Sequence, residues 1–432
     1  MHASWRRWAA PGLAAVALGG ALALSLGIPD GSARRRPDPP PRPQPAPAPR
    51  APNGFTLLSL GDDDVYWPRR EPTRRTCFAM ALGDAFDPAL AQEVRECNAT
   101  VLRQLAASLA TPDFVCPTLE APNDGLSTGW NTLGRVVAVG AFEHAAADRV
   151  DEAFDAAMQL VRLAHHIQST AGASLMHWTV ASMLKQTGLA CLHTLALRHL
   201  PSDDLVAALV RELDERRADR ATLERALAVD ARFERQLILS LAAGEQQLDD
   251  LWFFDDAPVA DDWRTTSYRP AATIELSSRA RGLLVAALGR PYDPDGLRTV
   301  LDALIASAAD LRAENDIGVR FVRGSTLEGL PLILKYPCAE DVAVDAVRTV
   351  LALRWHTHRT GRQPMTLSAL HSAWFPATPV DPYDGQALRY APERGVVYSV
   401  GEDRVDAGGS DAGTARRARQ DLAEPTYWVR DA

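Results

Sequence analysis

The chain has 432 residues, about three times a typical single-domain length, which predicts one large domain with appendages or two domains. Hydrophobic residues make up 47% of the chain and charged residues 23%, an ordinary globular composition that excludes a mainly disordered or collagen-like protein. The formal net charge of -9 gives no reason to expect a nucleic acid as partner.

The amino-terminal segment predicts a membrane anchor. Residues 8–28 follow Arg6 and Arg7 and carry no charge, and about 20 apolar residues suffice to cross a bilayer. The segment is longer than a usual secretory signal, so we interpret it as an uncleaved transmembrane anchor behind a cytoplasmic tail, residues 1–7. A cleaved signal peptide is the alternative. The anchor predicts a single-pass inner-membrane protein whose bulk is extracytoplasmic, and the membrane is then its first partner.

Residues 29–54 read as a proline-rich linker. Nine of the sixteen residues from Pro37 to Pro52 are proline, a composition that cannot form a helix or an inner strand. Such a segment adopts extended polyproline II geometry, and it predicts a stiff spacer between the anchor and the folded body. A ligand for a proline-recognition module is the alternative interpretation.

Residues 55–335 predict a helical domain, an antiparallel multi-helix bundle or array. Apolar residues recur at helical spacing from Phe154 to Val161, and Pro201 to Asp204 supplies a helix stop followed by a helix start. Short loops favour antiparallel packing of successive helices, and a degenerate helical repeat remains open. The predicted helices span residues 87–110, 130–147, 150–170, 173–199, 203–217, 220–244, 271–289 and 294–312.

Ser182 and Lys185 form an SxxK sequence, the spacing at which a lysine helps to activate a serine nucleophile in penicillin-binding enzymes. No KTG sequence accompanies it, and both residues fall in one long predicted helix. We therefore interpret the SxxK match as a chance occurrence.

Histidines and a glutamate are concentrated on three predicted helices, where a bundle is able to gather metal ligands. They are Glu143, His144, His165, His166 and His177. No HExxH sequence occurs, and adjacent histidines point to different faces of a helix, so surface or core-edge positions are the better interpretation.

The cysteines contain no CxxC pair, which argues against a zinc ribbon or a thioredoxin-like site. An exported domain permits disulfides, and Cys77, Cys97 and Cys116 lie close enough in sequence to supply one bridge. Cys191 falls in an apolar helix and is predicted to pack as a small hydrophobic residue.

Residues 336–432 predict a helix over about 341–360 followed by a small β-unit. Asp384-Gly385 is a hairpin-type turn signal, and residues 395–399 have the composition of a strand. The complete fold class is thus mainly α, with a small carboxyl-terminal β-unit, preceded by one transmembrane helix and a proline-rich linker.

Two stretches of this tail resemble the carboxyl-terminal region of type II secretion major pseudopilins. They are Asp381-Pro382-Tyr383 with Tyr390, and Tyr398-Ser399-x-Gly401-x-Asp403. The resemblance implies a calcium-binding loop, although Arg404 replaces the glycine that the pseudopilin pattern has.

The residues of this loop themselves suit calcium, because Asp403, Asp406 and Asp411 are spaced to turn toward one centre. Gly401, Gly408 and Gly409 allow the bends that such a loop needs. Solvated turn aspartates are the alternative, since Asp and Gly are common in exposed loops for conformational reasons. Ca²⁺ is the one cofactor that the sequence suggests.

The helical body resembles membrane-anchored helical proteins of planctomycetes and related bacteria, on the residues Leu160, Leu163 and Ala231 to Arg235. That resemblance implies no activity. We therefore predict a non-enzymatic scaffold or adaptor of the cell envelope with an envelope protein as partner. An envelope hydrolase whose site forms from scattered residues, among them His165, Glu143 and Ser182, is the alternative.

Overall fold

The computed structural model describes residues 53–61, 63–116, 126–217, 219–248, 251, 259–288, 290–327, 330–370, 374–409 and 425–429. Helices dominate, as the sequence predicts. They are α1 (Gly54–Leu57), α2 (Thr73–Ala81), α3 (Pro88–Cys97), α4 (Ala99–Ala110), α5 (Leu126–Ala146), α6 (Val150–Ser169), α7 (Leu175–Arg198), α8 (Asp203–Glu215), α9 (Arg220–Ala243), α10 (Trp263–Thr266), α11 (Pro270–Leu288), α12 (Pro294–Ser307), α13 (Ala309–Val322) and α14 (Leu330–Thr360). A π-helical turn, Arg323–Leu327, precedes α14, and a 3₁₀ turn, Leu367–Leu370, follows it.

Local signals in the sequence fix many of the helix ends. The Asp87 carboxylate accepts hydrogen bonds from the first turn of α3, and Asp219 does the same for α9. At the start of α7, Ser174 and His177 form a reciprocal capping box. Helix α9 ends at Gly244, whose φ of 80° is the left-handed conformation that glycine adopts without strain.

Helix α7 lies at the centre of the molecule. It packs along α5, α6 and α14, and 18 of its 24 residues are buried. One apolar cluster joins α5–α9 to α11–α14 and the strands, while a second joins α1–α4 to α5–α7. The predicted division between residues 335 and 336 falls inside α14, which continues from one segment into the other.

Three of the predicted helices differ from the structure by more than a few residues. The predicted helix 87–110 is two helices, because the amide of Asn98 bonds the backbone of Tyr66 and Val94 where the chain breaks. The predicted helix 294–312 ends at Ser307 and restarts after Ala308. The helix expected at 341–360 begins at Leu330 and continues through Pro337.

The predicted β-unit is confirmed as a small antiparallel sheet. Its strands are β1 (Arg389–Ala391), β2 (Val396–Tyr398) and β3 (Thr426–Trp428), in the order β1-β2-β3. In the register, Val397 of β2 faces Tyr390 on one side and Tyr427 on the other. The third strand is separated from β2 along the chain and was not expected.

The prediction of a single-pass inner-membrane protein is contradicted. None of the helices in the part of the chain described above is both long enough and apolar enough to cross a bilayer. The longest, α14, carries ionisable side chains throughout, including Glu340, Asp345 and Arg348, and these bind neighbouring helices. The segment predicted as the anchor, residues 8–28, the tail before it and the proline-rich linker up to residue 52 lie outside the described residues.

The predicted disulfide is not formed, since all five cysteines are free thiols. Cys77 and Cys116 are enclosed in the second apolar cluster, whereas Cys97 is exposed. Burial raises the pKa of Cys77 to about 11 and that of Cys116 to about 12. Cys191 is 3% exposed and packs in the main core, as the sequence predicts.

Two glycines of α5 test how closely the segment around Leu60 packs on this helix. A Cβ on Gly129 would lie 2.5 Å from the carbonyl oxygen of Leu60, whereas one on Gly140 would meet nothing within 4 Å. We expect Gly129→Ala to lower the free energy of unfolding by about 2–3 kcal/mol through overpacking. Gly140→Ala should raise it by about 0.5–1 kcal/mol through helix propensity. Urea unfolding of both variants checks this, and equal effects would contradict the contact.

Candidate functional site

A buried network surrounds the two residues of the SxxK sequence. The ammonium of Lys185 pairs with Oε1 of Glu340 and donates to the carbonyl of Arg216 at 2.7 Å. Ser182 Oγ donates to Oε2 of Glu340 at 3.0 Å, and Gln168 Nε2 donates to the same oxygen at 2.9 Å. Lys185 and Glu340 are both 0% exposed. The network therefore ties α6, α7 and the end of α8 to α14.

This geometry does not suit nucleophilic catalysis. A nucleophilic serine needs a base that takes its proton and a face open to a substrate. Here the hydroxyl of Ser182 donates to Glu340 and not to the lysine amine, and the residue is 1% exposed. The interpretation of the SxxK match as a chance occurrence agrees with this arrangement.

A cluster of charged side chains lies next to this buried network, at the end of α8. The guanidinium of Arg217 pairs with both carboxylate oxygens of Asp345, and Arg348 pairs with Asp345 at 3.0 Å and with Asp214 at 2.8 Å. Asp341 lies beside these groups, where burial and the charge of Glu340 raise its pKa to about 7. These ion pairs hold α8 antiparallel to α14.

The histidines predicted as candidate ligands are separated by the fold. Burial and the positive charge of Lys185 lower the pKa of His165 to about 4, so its imidazole is neutral. His166 stacks on Phe114, and His177 caps α7. Glu143 pairs with Arg95 at 3.1 Å. Within the ranges that the structure describes, no group of three His, Cys, Asp or Glu side chains is placed to hold a metal ion.

An open groove of about 700 Å³ lies where α6 and α8 begin. We call this feature the acidic groove, because its lining includes Asp151, Glu152, Asp155, Asp204, His144 and Leu205. In the sequence, Asp204 is part of a predicted helix start, whereas nothing there indicates that Asp151, Glu152 and Asp155 lie close to it.

The groups of the acidic groove differ in how they are bound. The Asp151 carboxylate accepts hydrogen bonds from the backbone and hydroxyl of Ser202, at 2.9 and 2.6 Å, and Asp155 pairs with Arg162 at 2.7 Å. Glu152 and Asp204 are exposed. His144 Nδ1 is buried without a partner among the described residues, and burial followed by Arg149 lowers the pKa of its imidazole. The groove therefore presents carboxylates beside a neutral histidine.

The aspartates predicted to bind calcium are only partly within the described residues. Asp403 accepts a hydrogen bond from the backbone of Val405 at 3.0 Å. Asp406 accepts from the Tyr398 hydroxyl and from Gly408 N–H and pairs with Arg389 at 3.2 Å, so both of its oxygens are engaged. Asp411 lies outside the described residues, and calcium binding remains a prediction.

Another aspartate, Asp381, organises this end of the chain. Its buried carboxylate accepts from Ser399 Oγ at 3.0 Å and from Val400 N–H at 2.9 Å, and it pairs with Arg389 at 3.0 Å. It thus joins the Asp-Pro-Tyr sequence to the end of β2. In the sequence, Asp381 stands out only as part of the resemblance to the pseudopilin pattern.

Comparison with known proteins adds no further constraint: no known protein family, curated protein sequence or solved structure significantly matches the chain. Function is therefore inferred from the geometry of the residues described above.

For the buried pair Lys185–Glu340, we expect a single substitution to lower the free energy of unfolding much more than a double substitution. Lys185→Met should lower the free energy of unfolding by about 3–5 kcal/mol, because Glu340 is then left buried without its cation. Adding Glu340→Leu to this variant should restore much of the loss, which urea unfolding measures. As a control, the exposed pair Arg359–Asp203, at 3.3 Å, should contribute less than about 1 kcal/mol. Additive losses for the buried pair would contradict the proposed coupling.

Asp230 predicts a pH dependence of stability. It lies on α9 and accepts a hydrogen bond from the first N–H of α7, that of Leu175, at 2.8 Å, and burial raises its pKa to about 7. The folded state then holds the proton more tightly than the unfolded state. Protonated Asp230 therefore stabilises the fold at low pH, and this contribution falls as pH rises from the unfolded pKa toward 7. Relative to Asp230→Asn, the wild type should lose about 3 kcal/mol between about pH 5 and pH 8 in urea unfolding. A constant difference would show that Asp230 is ionised throughout.

Proposed function

We propose that the protein is a non-catalytic helical scaffold that binds a cationic segment of a partner protein in the acidic groove. The observation that carries this proposal is the open concave surface of about 700 Å³ with carboxylates from two helices on its walls. Cationic side chains that enter it meet Glu152 and Asp204, whose carboxylates are exposed.

The shape of the acidic groove favours a peptide segment over a small ion. It is wide and open, and Ala156 and Leu205 contribute apolar surface beside the acids. Lysine and arginine side chains have aliphatic stems that pack on apolar surface while the charged end reaches a carboxylate. A partner segment with two or more such residues fits both properties of the groove.

The alternative function, a hydrolase with a site built from scattered residues, has less support. Ser182 is enclosed in the buried network, and His165 is half-buried beside the cations Lys185 and Arg216. Glu143 is bound to Arg95 at 3.1 Å. None of the three offers a base next to an accessible nucleophile.

A binding experiment with charge-matched variants tests the scaffold proposal. The probe is a fluorescent nona-arginine peptide, and fluorescence anisotropy measures its affinity. We expect the groove variant Glu152→Gln with Asp204→Asn to bind about tenfold more weakly than the wild type. The control is Glu275→Gln with Asp302→Asn, which removes two exposed carboxylates from α11 and α12 and leaves the groove intact.

The control variant should keep the wild-type affinity within about twofold, because it has the same net charge as the groove variant. Equal weakening of the two variants would show that only net charge matters and would contradict a site in the groove. Affinity of the wild type should also fall with added salt, since the attraction is electrostatic.

A further inference from the structure

A guanidinium of the chain itself lies beside the acidic groove. Arg359, in the last turn of α14, donates a hydrogen bond to Oδ2 of Asp203 at 3.3 Å. The central carbon of its guanidinium lies over the ring of Trp355, 5.7 Å from the ring centroid. A cation within about 6 Å of an indole face is attracted by the electrons of the ring. One carboxylate and one aromatic face therefore hold this arginine together.

Hydrogen bonding and packing fix the two groups that hold Arg359. Trp355 Nε1 donates to Oδ1 of Asp203 at 2.8 Å, which leaves Oδ2 to the guanidinium. The indole of Trp355 also packs edge-on against Trp374, with 5.0 Å between the ring centroids, and both rings lie against the main apolar cluster. The carboxylate and the ring are thus in position before a ligand arrives, and such preorganisation lowers the cost of binding.

Arg359 itself is held only weakly. Its side chain is 57% exposed and that of Asp203 is 52% exposed, and ion pairs with this degree of exposure contribute little free energy. Arg359 also stands one residue before the end of α14 at Thr360, and the ends of helices fray. An arginine of another molecule therefore replaces Arg359 at small cost.

The groups that hold Arg359 are continuous with the acidic groove. Asp203 stands between Ser202 and Asp204, which both line the groove. Neighbouring Cα atoms are about 3.8 Å apart, and an extended peptide advances about 3.3–3.6 Å per residue. Two cationic side chains about two or three residues apart in an extended segment therefore reach Asp204 and Asp203 together.

We propose that Asp203 and Trp355 form an arginine subsite at the edge of the acidic groove, which Arg359 occupies as an internal competitor until an arginine of the partner displaces it. The identity of the ligand rests on the proposed function, since one cationic segment fills both the groove and the subsite. Arginine is preferred over lysine here, because its planar guanidinium stacks on a ring while it donates to a carboxylate. The ammonium of lysine is a compact and strongly hydrated charge.

Removal of the internal competitor tests the proposal, with fluorescent nona-arginine as the probe and fluorescence anisotropy as the measurement. An occupied subsite lowers the apparent affinity by the fraction of molecules in which it is free. We expect Arg359→Gln to bind the peptide about threefold more tightly than Arg362→Gln. The control variant removes an exposed arginine just beyond α14 and has the same net charge. Equal affinities of the two variants would overturn the proposal.

Further variants test whether Asp203 receives the peptide. Asp203→Asn keeps an acceptor for Trp355 Nε1 but loses the charge, so adding it to Arg359→Gln should remove the gain in affinity. Adding Asp302→Asn, which removes an exposed carboxylate of α12, gives the same net charge and should leave most of the gain. Equal losses from these two additions would contradict the subsite. With nona-lysine the gain should be smaller, and an equal gain for both peptides would contradict a preference for arginine.

The same titrations separate the subsite from the acidic groove. The groove proposal fails alone if Glu152→Gln with Asp204→Asn binds like its control while Arg359→Gln keeps its gain over Arg362→Gln. The subsite is overturned alone if the groove variant is weakened as expected and that gain is absent. A nona-arginine peptide that binds to none of these proteins overturns both proposals.

Discussion

The ion pair between Lys185 and Glu340 constrains the assembly of the whole helical body. Both groups are removed from water, which costs several kcal/mol per ion unless every polar atom finds a partner. The partners come from separate helices: Gln168 from α6, Ser182 from α7 and the Arg216 carbonyl from the end of α8. The pair is therefore satisfied only when α6, α7, α8 and α14 adopt one mutual register, and a helix displaced by a turn leaves a buried charge unpaired.

The amino-acid sequence predicts the local structure well and the pairing of distant residues poorly. Periodicity and capping residues identify α6, α7, α8 and α9 within a few residues, because these signals lie within one or two turns. Lys185 and Glu340, by contrast, are 155 positions apart, and the sequence around each residue does not indicate that the other is its partner. Strand β3 was missed for the same reason, since its partner is β2 and the chain between them gives no pairing signal.

Burial and hydrogen-bond partners, and not spacing in the sequence, decide what the residues of the SxxK sequence do. In the sequence, Ser182 and Lys185 have the spacing of a nucleophile and its activating lysine, and helical geometry does place them on one face. Their role is decided by Glu340, which accepts a hydrogen bond from the Ser182 hydroxyl and forms an ion pair with the Lys185 ammonium. Asp406 is a second example: the sequence predicts it as a calcium ligand, and in the fold it pairs with Arg389, a partner that the sequence does not indicate.

The acidic groove shows how helix ends and binding chemistry depend on each other. Asp151 and Glu152 stand in the first turn of α6, and Asp203 and Asp204 stand in the first turn of α8. A helix start carries partial positive charge and unpaired N–H groups, so acids there are individually stabilising. Because Asp151 also binds the backbone of Ser202, the two helix starts lie side by side and their acids share one surface. The two helix dipoles offset part of the repulsion among these carboxylates, and the fold thereby holds an anionic surface open to solvent.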